Sequence, residues 1–394
     1  SPRGVQYGLS ALSGHRYGAR TGLQWELGAH RLEAGVWAEK DVFNRLQARY
    51  NLTDGSPAGE PLRNEPVHLQ GDFTSTRDSL QLHLKDTWSL LDDRLLVQFG
   101  FKRLELDYRI EGQRNAGDYI NGRNPRLSTT WRDGFLPQLG VVYNLTGNSQ
   151  LFASYSENMA LPRGADDIYR AASPQAPAPE AERAKNYEAG WRLNRPTFNA
   201  AWALYRTDFD NRLQAFASPV PGSSQVETFY QNVGKAQAYG SELSGQWKPE
   251  ALGGQVIFNG ALTYNRAQFK DDAAGLALSG NDLPDSPRWL AQTGITWEIT
   301  PWAVFNVSAR YIGERYSNFT NSEQVPGYTL YNAYLDLGGG AWGSGVLKSA
   351  KLRLNVDNLF DKHYLGYILT STDGPAVFRP GSPRTFQTTL SVDF

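Results

Sequence analysis

Apolar and polar residues alternate one for one along most of this chain. In the closing stretch RTFQTTLSVDF, Phe386, Thr388, Leu390, Val392 and Phe394 fall on one face, while Gln387, Thr389, Ser391 and Asp393 fall on the other. That is the period-two signature of a β-strand with two unlike faces. In WLAQTGITW, Trp289, Ala291, Thr293, Ile295 and Trp297 oppose Gln292, Gly294 and Thr296. In AVFNVSARY, Ala303, Phe305, Val307, Ala309 and Tyr311 oppose Asn306, Ser308 and Arg310. Upstream, Leu80, Leu82 and Leu84 oppose Gln81, His83 and Lys85, and Tyr17 to Leu27 repeats the pattern. The polar face repeatedly carries full charges.

A soluble β-sandwich also alternates, but two features favour a wall that faces lipid. Aromatic residues sit at the ends of the apolar faces, where a membrane barrel has its interfacial girdles. The connections also alternate in length. Short turns at Gly28 to His30, Leu145 to Ser149, Arg195 to Pro196 and Thr300 to Pro301 are interleaved with long polar segments. The long ones are expected near Asn44 to Thr74, Glu111 to Thr130, Leu161 to Ala181, Asp271 to Pro287 and Leu365 to Pro383. The fold class expected is therefore all-β, a transmembrane antiparallel β-barrel of about sixteen strands counted back from Phe394. Its long loops lie outside the cell and its C-terminus in the periplasm. Residues 1–394 read as a single barrel domain, with the Pro-rich AASPQAPAPEAE at Ala171 to Glu182 as a stiffened loop.

Composition narrows the picture. No apolar run approaches the roughly eighteen residues that a transmembrane helix needs. Thirty-nine glycines suit a turn-rich β-protein, and the absence of cysteine removes disulfides and thiolate metal sites. A net charge of -1 argues against a nucleic-acid partner. The N-terminus has neither an initiating Met nor a signal region, so the chain reads as a mature or truncated piece.

Several stretches resemble one family. ERAKNYEAGWRL at Glu182 to Leu193, YQNVGKAQAYGSELSGQW at Tyr230 to Trp247, LRLNVDNLFDKHYLGY at Leu352 to Tyr367 and the closing GSPRTFQTTLSVDF resemble the barrel of TonB-dependent outer-membrane transporters, in that family's order. LFASYSENMALPRG at Leu151 to Gly164 and LPDSPRWLAQTG at Leu283 to Gly294 add weaker support. The resemblance implies a barrel of about twenty-two strands, with the N-terminal plug and first strands not in this chain. It implies import of a scarce nutrient, most often a ferric siderophore, captured at the extracellular loops and driven by TonB through the absent N-terminal region. Lipid and lipopolysaccharide would surround the apolar face. Phe394 resembles the aromatic end that the barrel-assembly machinery reads. The alternatives are a passive sixteen-stranded porin, or TonB-dependent uptake of cobalamin, haem, another metal complex or an oligosaccharide.

Within these motifs, Asn358 and Asp361 are positioned to satisfy backbone groups where a strand turns outward, and Tyr364 suits a membrane boundary. Gly240 would relieve crowding inside the barrel beside Glu242. The five histidines show no ligand spacing, and no catalytic motif stands out, so neither metal, cofactor nor enzymatic activity is expected. GGGAWG at Gly338 to Gly343 reads as a turn.

Candidate ligand contacts are the aromatic and arginine residues of the long segments: Arg114 and Tyr119, Arg163, Tyr169 and Arg170, Tyr316 and Phe319, and Tyr367, Phe378 and Arg379. Rings to stack on, with fixed cations, suit an anionic, partly aromatic chelate. Glu188, Glu242, Arg310, Lys351 and Arg353 are expected to face the lumen. There they would hold a plug or set the selectivity of an open pore.

Overall fold

The computed structural model describes residues 5–161, 180–219, 226–272, 277–338, 350–370 and 375–392. Among these, fifteen strands form one antiparallel sheet in chain order. They are β1 (Gln6–Leu27), β2 (His30–Leu52), β3 (Pro61–Leu90), β4 (Leu95–Gln113), β5 (Arg126–Thr146), β6 (Ser149–Ala160), β7 (Glu182–Arg195), β8 (Phe198–Asp210), β11 (Ala236–Trp247), β12 (Val256–Phe269), β13 (Trp289–Thr300), β14 (Ala303–Ile312), β17 (Tyr328–Gly338), β18 (Lys351–Asp357) and β21 (Thr385–Ser391). Three two-stranded ribbons lie outside it: β9 (Leu213–Pro219) with β10 (Val226–Asn232), β15 (Arg315–Tyr316) with β16 (Gln324–Val325), and β19 (Leu365–Leu369) with β20 (Val377–Pro380). One short helix, α1 (Ala116–Ile120), sits between β4 and β5.

Connections alternate as expected. At one end of the sheet, residues 28–29, 91–94, 147–148, 196–197 and 301–302 make tight turns. At the other, β8 to β11, β12 to β13, β14 to β17 and β18 to β21 are joined by long segments, and the three ribbons belong to these. Two expected loops shrink. Of Asn44 to Thr74, only residues 53–60 lie between strands, and Glu111 to Thr130 reduces to 114–125. The strands continue because polar side chains there still pair across the ladder, as Thr74 does with Asn44 at 2.7 Å. Polarity marked the exit from an apolar environment, not the end of the strand. The count is also fifteen, against about sixteen expected.

The sheet has no central apolar core. Large apolar side chains instead stand exposed on one face: Leu23 and Trp25, Leu80 to Leu84 on alternate residues, Ile295 and Trp297, Phe305 and Tyr311. In water such a surface would be a severe liability, whereas against hydrocarbon it is the stable choice. The described residues bury their main apolar clusters at the long-connection end, around Tyr108 and Ile110, around Phe269 and Phe319, and around Tyr50 and Leu69.

The opposite face is polar and closely fitted. A Cβ built on Gly240 would lie 2.0 Å from the Tyr264 carbonyl oxygen and 2.6 Å from the Tyr205 hydroxyl. Only a residue without a side chain lets Tyr205 cross there and donate to Asn265 Oδ1 at 2.8 Å. The crowding expected at this glycine is therefore real.

No helix among the described residues is long and apolar enough to cross a membrane, which leaves crossing by strands untouched. GGGAWG lies outside the described residues beyond Gly338, and so does most of AASPQAPAPEAE.

Candidate ligand-binding site

Among the described residues, loops from several strand pairs meet at the long connections. The segment that turns out of β18 shows how local sequence builds this end. Asn358 and Asp361 both adopt positive φ, which Asn and Asp tolerate better than other side chains. The Asn358 side chain donates to the carbonyls of Lys362 and Ser382 at 2.9 and 3.1 Å and accepts the Lys362 amide at 2.8 Å. Asp361 accepts the Arg384 amide at 2.9 Å. The backbone role expected of this pair is thus observed. Tyr364 turns onto Tyr328, with ring centroids 4.4 Å apart. Beside these two rings is a cavity of about 540 Å³, lined also by Pro326, Lys362, His363 and Pro380.

The candidate ligand contacts separate into three groups. Tyr367, Phe378 and Arg379 come together on the β19–β20 ribbon, where Arg379 pairs with Tyr367 in register and its guanidinium lies 5.8 Å from the ring centre. Tyr367 and Arg379 are exposed, so this ribbon presents a ring and a cation side by side.

A second group is spent on structure. Arg114 is 2% exposed, and its Nε and Nη2 donate to Asp118 at 2.7 and 3.2 Å. The same carboxylate accepts the Arg114 amide, and Asn115 caps α1 through the Asp118 amide at 2.9 Å. Arg114 therefore holds its own loop and offers no open cation to a ligand. Phe319 is 3% exposed and packs on Phe269, so it too is a core residue and not a stacking surface. Tyr119 donates its hydroxyl to the Pro66 carbonyl at 2.9 Å, anchoring α1 to β3. Tyr316 is half-buried, and its carbonyl accepts the Asp285 amide at 2.9 Å.

The third group, Arg163, Tyr169 and Arg170, lies outside the described residues, as does Phe394.

All five residues expected in the lumen occupy the polar face. Arg353 donates two hydrogen bonds to Asp336, both at 2.6 Å, and lies 4.4 Å from the Tyr334 ring centre. Lys351 borders a cavity of about 510 Å³ with Trp302 and Asp336 at the short-turn end. Glu188 stands in register with Ser154 and Tyr205, Glu242 with Ala203 and Thr263, and Arg310 with Gln292 and Leu330.

Sequence reading missed the ion-pair ladders on this same face. Arg16 and Arg77 reach Glu39, while Lys85 and His83 reach Glu33 at 2.8 and 3.4 Å. Charges at alternate positions of β1, β2 and β3 were visible, but their partners depend on register. In the β12–β13 connection, the hydrogen bond to Asp282 holds the Arg288 guanidinium above its usual pKa. No group of three metal-ligating side chains occurs among the described residues.

An antiparallel wall with an apolar outer face, a charged inner face, tight turns at one end and interlocked long loops at the other is the architecture of an outer-membrane β-barrel. Residues 3–359 match the family model described as TonB dependent receptor-like, beta-barrel, and the chain belongs to that family. Among curated relatives, the probable TonB-dependent siderophore receptor PiuA of Acinetobacter baumannii is 24% identical over 313 residues, covering 76% of this chain and 39% of the relative. The ferrioxamine receptor of Yersinia enterocolitica is 29% identical over 170 residues, covering 42% of this chain and 22% of the relative. The matched segments therefore cover well under half the length of these relatives. Among solved structures, the siderophore receptor PiuA from Acinetobacter baumannii aligns with a TM-score of 0.73 at 17% identity, covering 97% of this chain and 56% of that one. The ferric citrate transporter FecA in its unliganded form aligns at 0.70 and 18% identity, covering 99% and 56%. These likenesses establish the shared barrel fold.

Proposed function

We propose that this chain is the barrel portion of an outer-membrane active transporter that binds a ferric siderophore at its extracellular loops and imports it with energy from TonB. The observation that carries the reading is family membership across residues 3–359, joined to relatives named as a probable TonB-dependent siderophore receptor and a ferrioxamine receptor. Nothing in that family match calls for covalent chemistry, so the protein is read as a carrier and not an enzyme.

The exposed Tyr367 and Arg379 support an anionic, partly aromatic ligand, because the ring supplies a stacking face and the guanidinium pairs with chelating oxygens. The charged inner face supports a polar lumen able to hold a plug through contacts that can be broken and remade. The porin alternative drew its support from a count of sixteen, and the family match over residues 3–359 weighs against it.

The test is uptake of radio-iron from a panel of ferric siderophores by cells expressing the full-length gene, with and without a proton-gradient uncoupler. Uptake of one chelate that collapses with the uncoupler is expected. No uptake of any chelate would remove the siderophore assignment and turn attention to vitamins, haem, sugars and other metal complexes.

A further inference from the structure

Three long connections are fastened at a single carboxylate. Asp285, between β12 and β13, accepts Arg315 Nε on Oδ1 at 2.6 Å and the Ile368 amide on Oδ2 at 3.3 Å. Its own amide donates to the Tyr316 carbonyl at 2.9 Å. Arg315, between β14 and β17, continues to the Leu365 carbonyl between β18 and β21, at 2.6 Å through Nη2. One ion pair thus touches all three segments. Further joints lie around it. Asn321 and Asp282 exchange hydrogen bonds at 2.7 and 2.9 Å, Asn281 donates to the Phe319 carbonyl at 3.0 Å, and Thr370 donates to the Ser317 carbonyl at 2.9 Å. Phe269, Leu278, Leu283 and Phe319 seal the joint with apolar contact.

We propose that these three connections form a single body with the Asp285–Arg315 pair as its pin, so that this side of the mouth opens as a block and not loop by loop. The Arg315 side chain is 2% exposed. Pulling either of the first two segments away would leave a buried cation without its carboxylate, which is far costlier than breaking a solvated pair, and pulling the third away would strip Arg315 Nη2 of the Leu365 carbonyl and Asp285 of the Ile368 amide. Local opening should therefore be cooperative across all three. The coupling holds whichever ligand is carried.

The test is amide hydrogen exchange on the full-length gene product purified from outer membranes, comparing wild type with Asp285→Asn. Asparagine tolerates the positive φ at this position, so the substitution removes charge without imposing strain. Amides 315–325 and 365–370 are expected to exchange about tenfold faster or more, together, as charge-assisted hydrogen bonds are lost. Residues 114–125 and the strands of the fifteen-stranded sheet should keep their wild-type rates. A rise confined to residues 283–288, no rise, or rates that change in one segment without the other would overturn the proposal. Arg315→Lys, which keeps the charge but loses the fork, should give the same joint rise. It carries the test if the first variant does not reach the membrane.

Discussion

At the scale of single residues, the sharpest constraint is the crossing at Gly240, where the neighbouring carbonyl and phenol leave no room for a Cβ. Gly240→Val should therefore destabilise the barrel by about 1–3 kcal/mol, as overpacked sites do. The loss should appear as a lower unfolding midpoint in the gel-mobility shift of heated and unheated samples, whereas unchanged mobility would mean that Tyr205 simply swings aside. This glycine was legible in YGSEL because the flanking alternation assigned it a face. Asn358 and Asp361 were legible because their residue types favour turns. Arg114 was misread because an arginine in a loop has the same letters whether open or paired. The clue was present in its own segment: Asp118 four residues on, with Asn115 in a capping position. Phe319 carried no such clue, since its partner Phe269 is fifty positions away and only the fold brings them together.

At the scale of elements, face decides tolerance. Val307 and Ser308 are neighbours on β14, in register with Ile295 and Gly294 respectively. Val307 shares the apolar face and Ser308 the polar one. Val307→Lys should cost about 2–4 kcal/mol in denaturant unfolding from lipid vesicles, the usual penalty for lysine on the lipid face near the bilayer centre. Ser308→Lys should leave the midpoint nearly unchanged. Equal losses from both would mean that the two faces are not distinguished by the lipid. Alternation made these faces readable at once, because a one-residue slip would exchange them. Strand ends were less readable. Beyond the lipid-facing zone β2 still alternates, with Leu46, Ala48 and Tyr50 opposite Arg45, Gln47 and Arg49, but the charged, Pro and Gly residues that follow masked this from a reading by polarity alone.

At the scale of the whole molecule, the wall and the loops divide the labour. The exposed ring and cation at Tyr367 and Arg379 should matter for capture and not for assembly. Replacing both with alanine is expected to weaken uptake of the transported chelate about tenfold or more at limiting concentration, while the amount of protein in the membrane stays constant. Unchanged uptake would move the site to other loops. Family and barrel were accessible from sequence because repeated strands and four motifs lie in order along the chain. The site was less so, because it is assembled from loops whose contacts are not local. Among the described strands, β1 and β21 run in the same direction, since the fourteen antiparallel steps that link fifteen strands return to the starting sense. Those two edges cannot complete an antiparallel ladder with each other.

The length of β3 bears on where a solute is first met. Its 30 residues trace a path of roughly 100 Å at the ordinary rise per residue, yet roughly ten residues suffice to cross the hydrocarbon. Even after allowing for tilt, the surplus stands as a stiff rampart some tens of ångströms tall. Capture would then begin well clear of the lipid headgroups, and a reagent as bulky as an antibody could grip the loops without touching the bilayer.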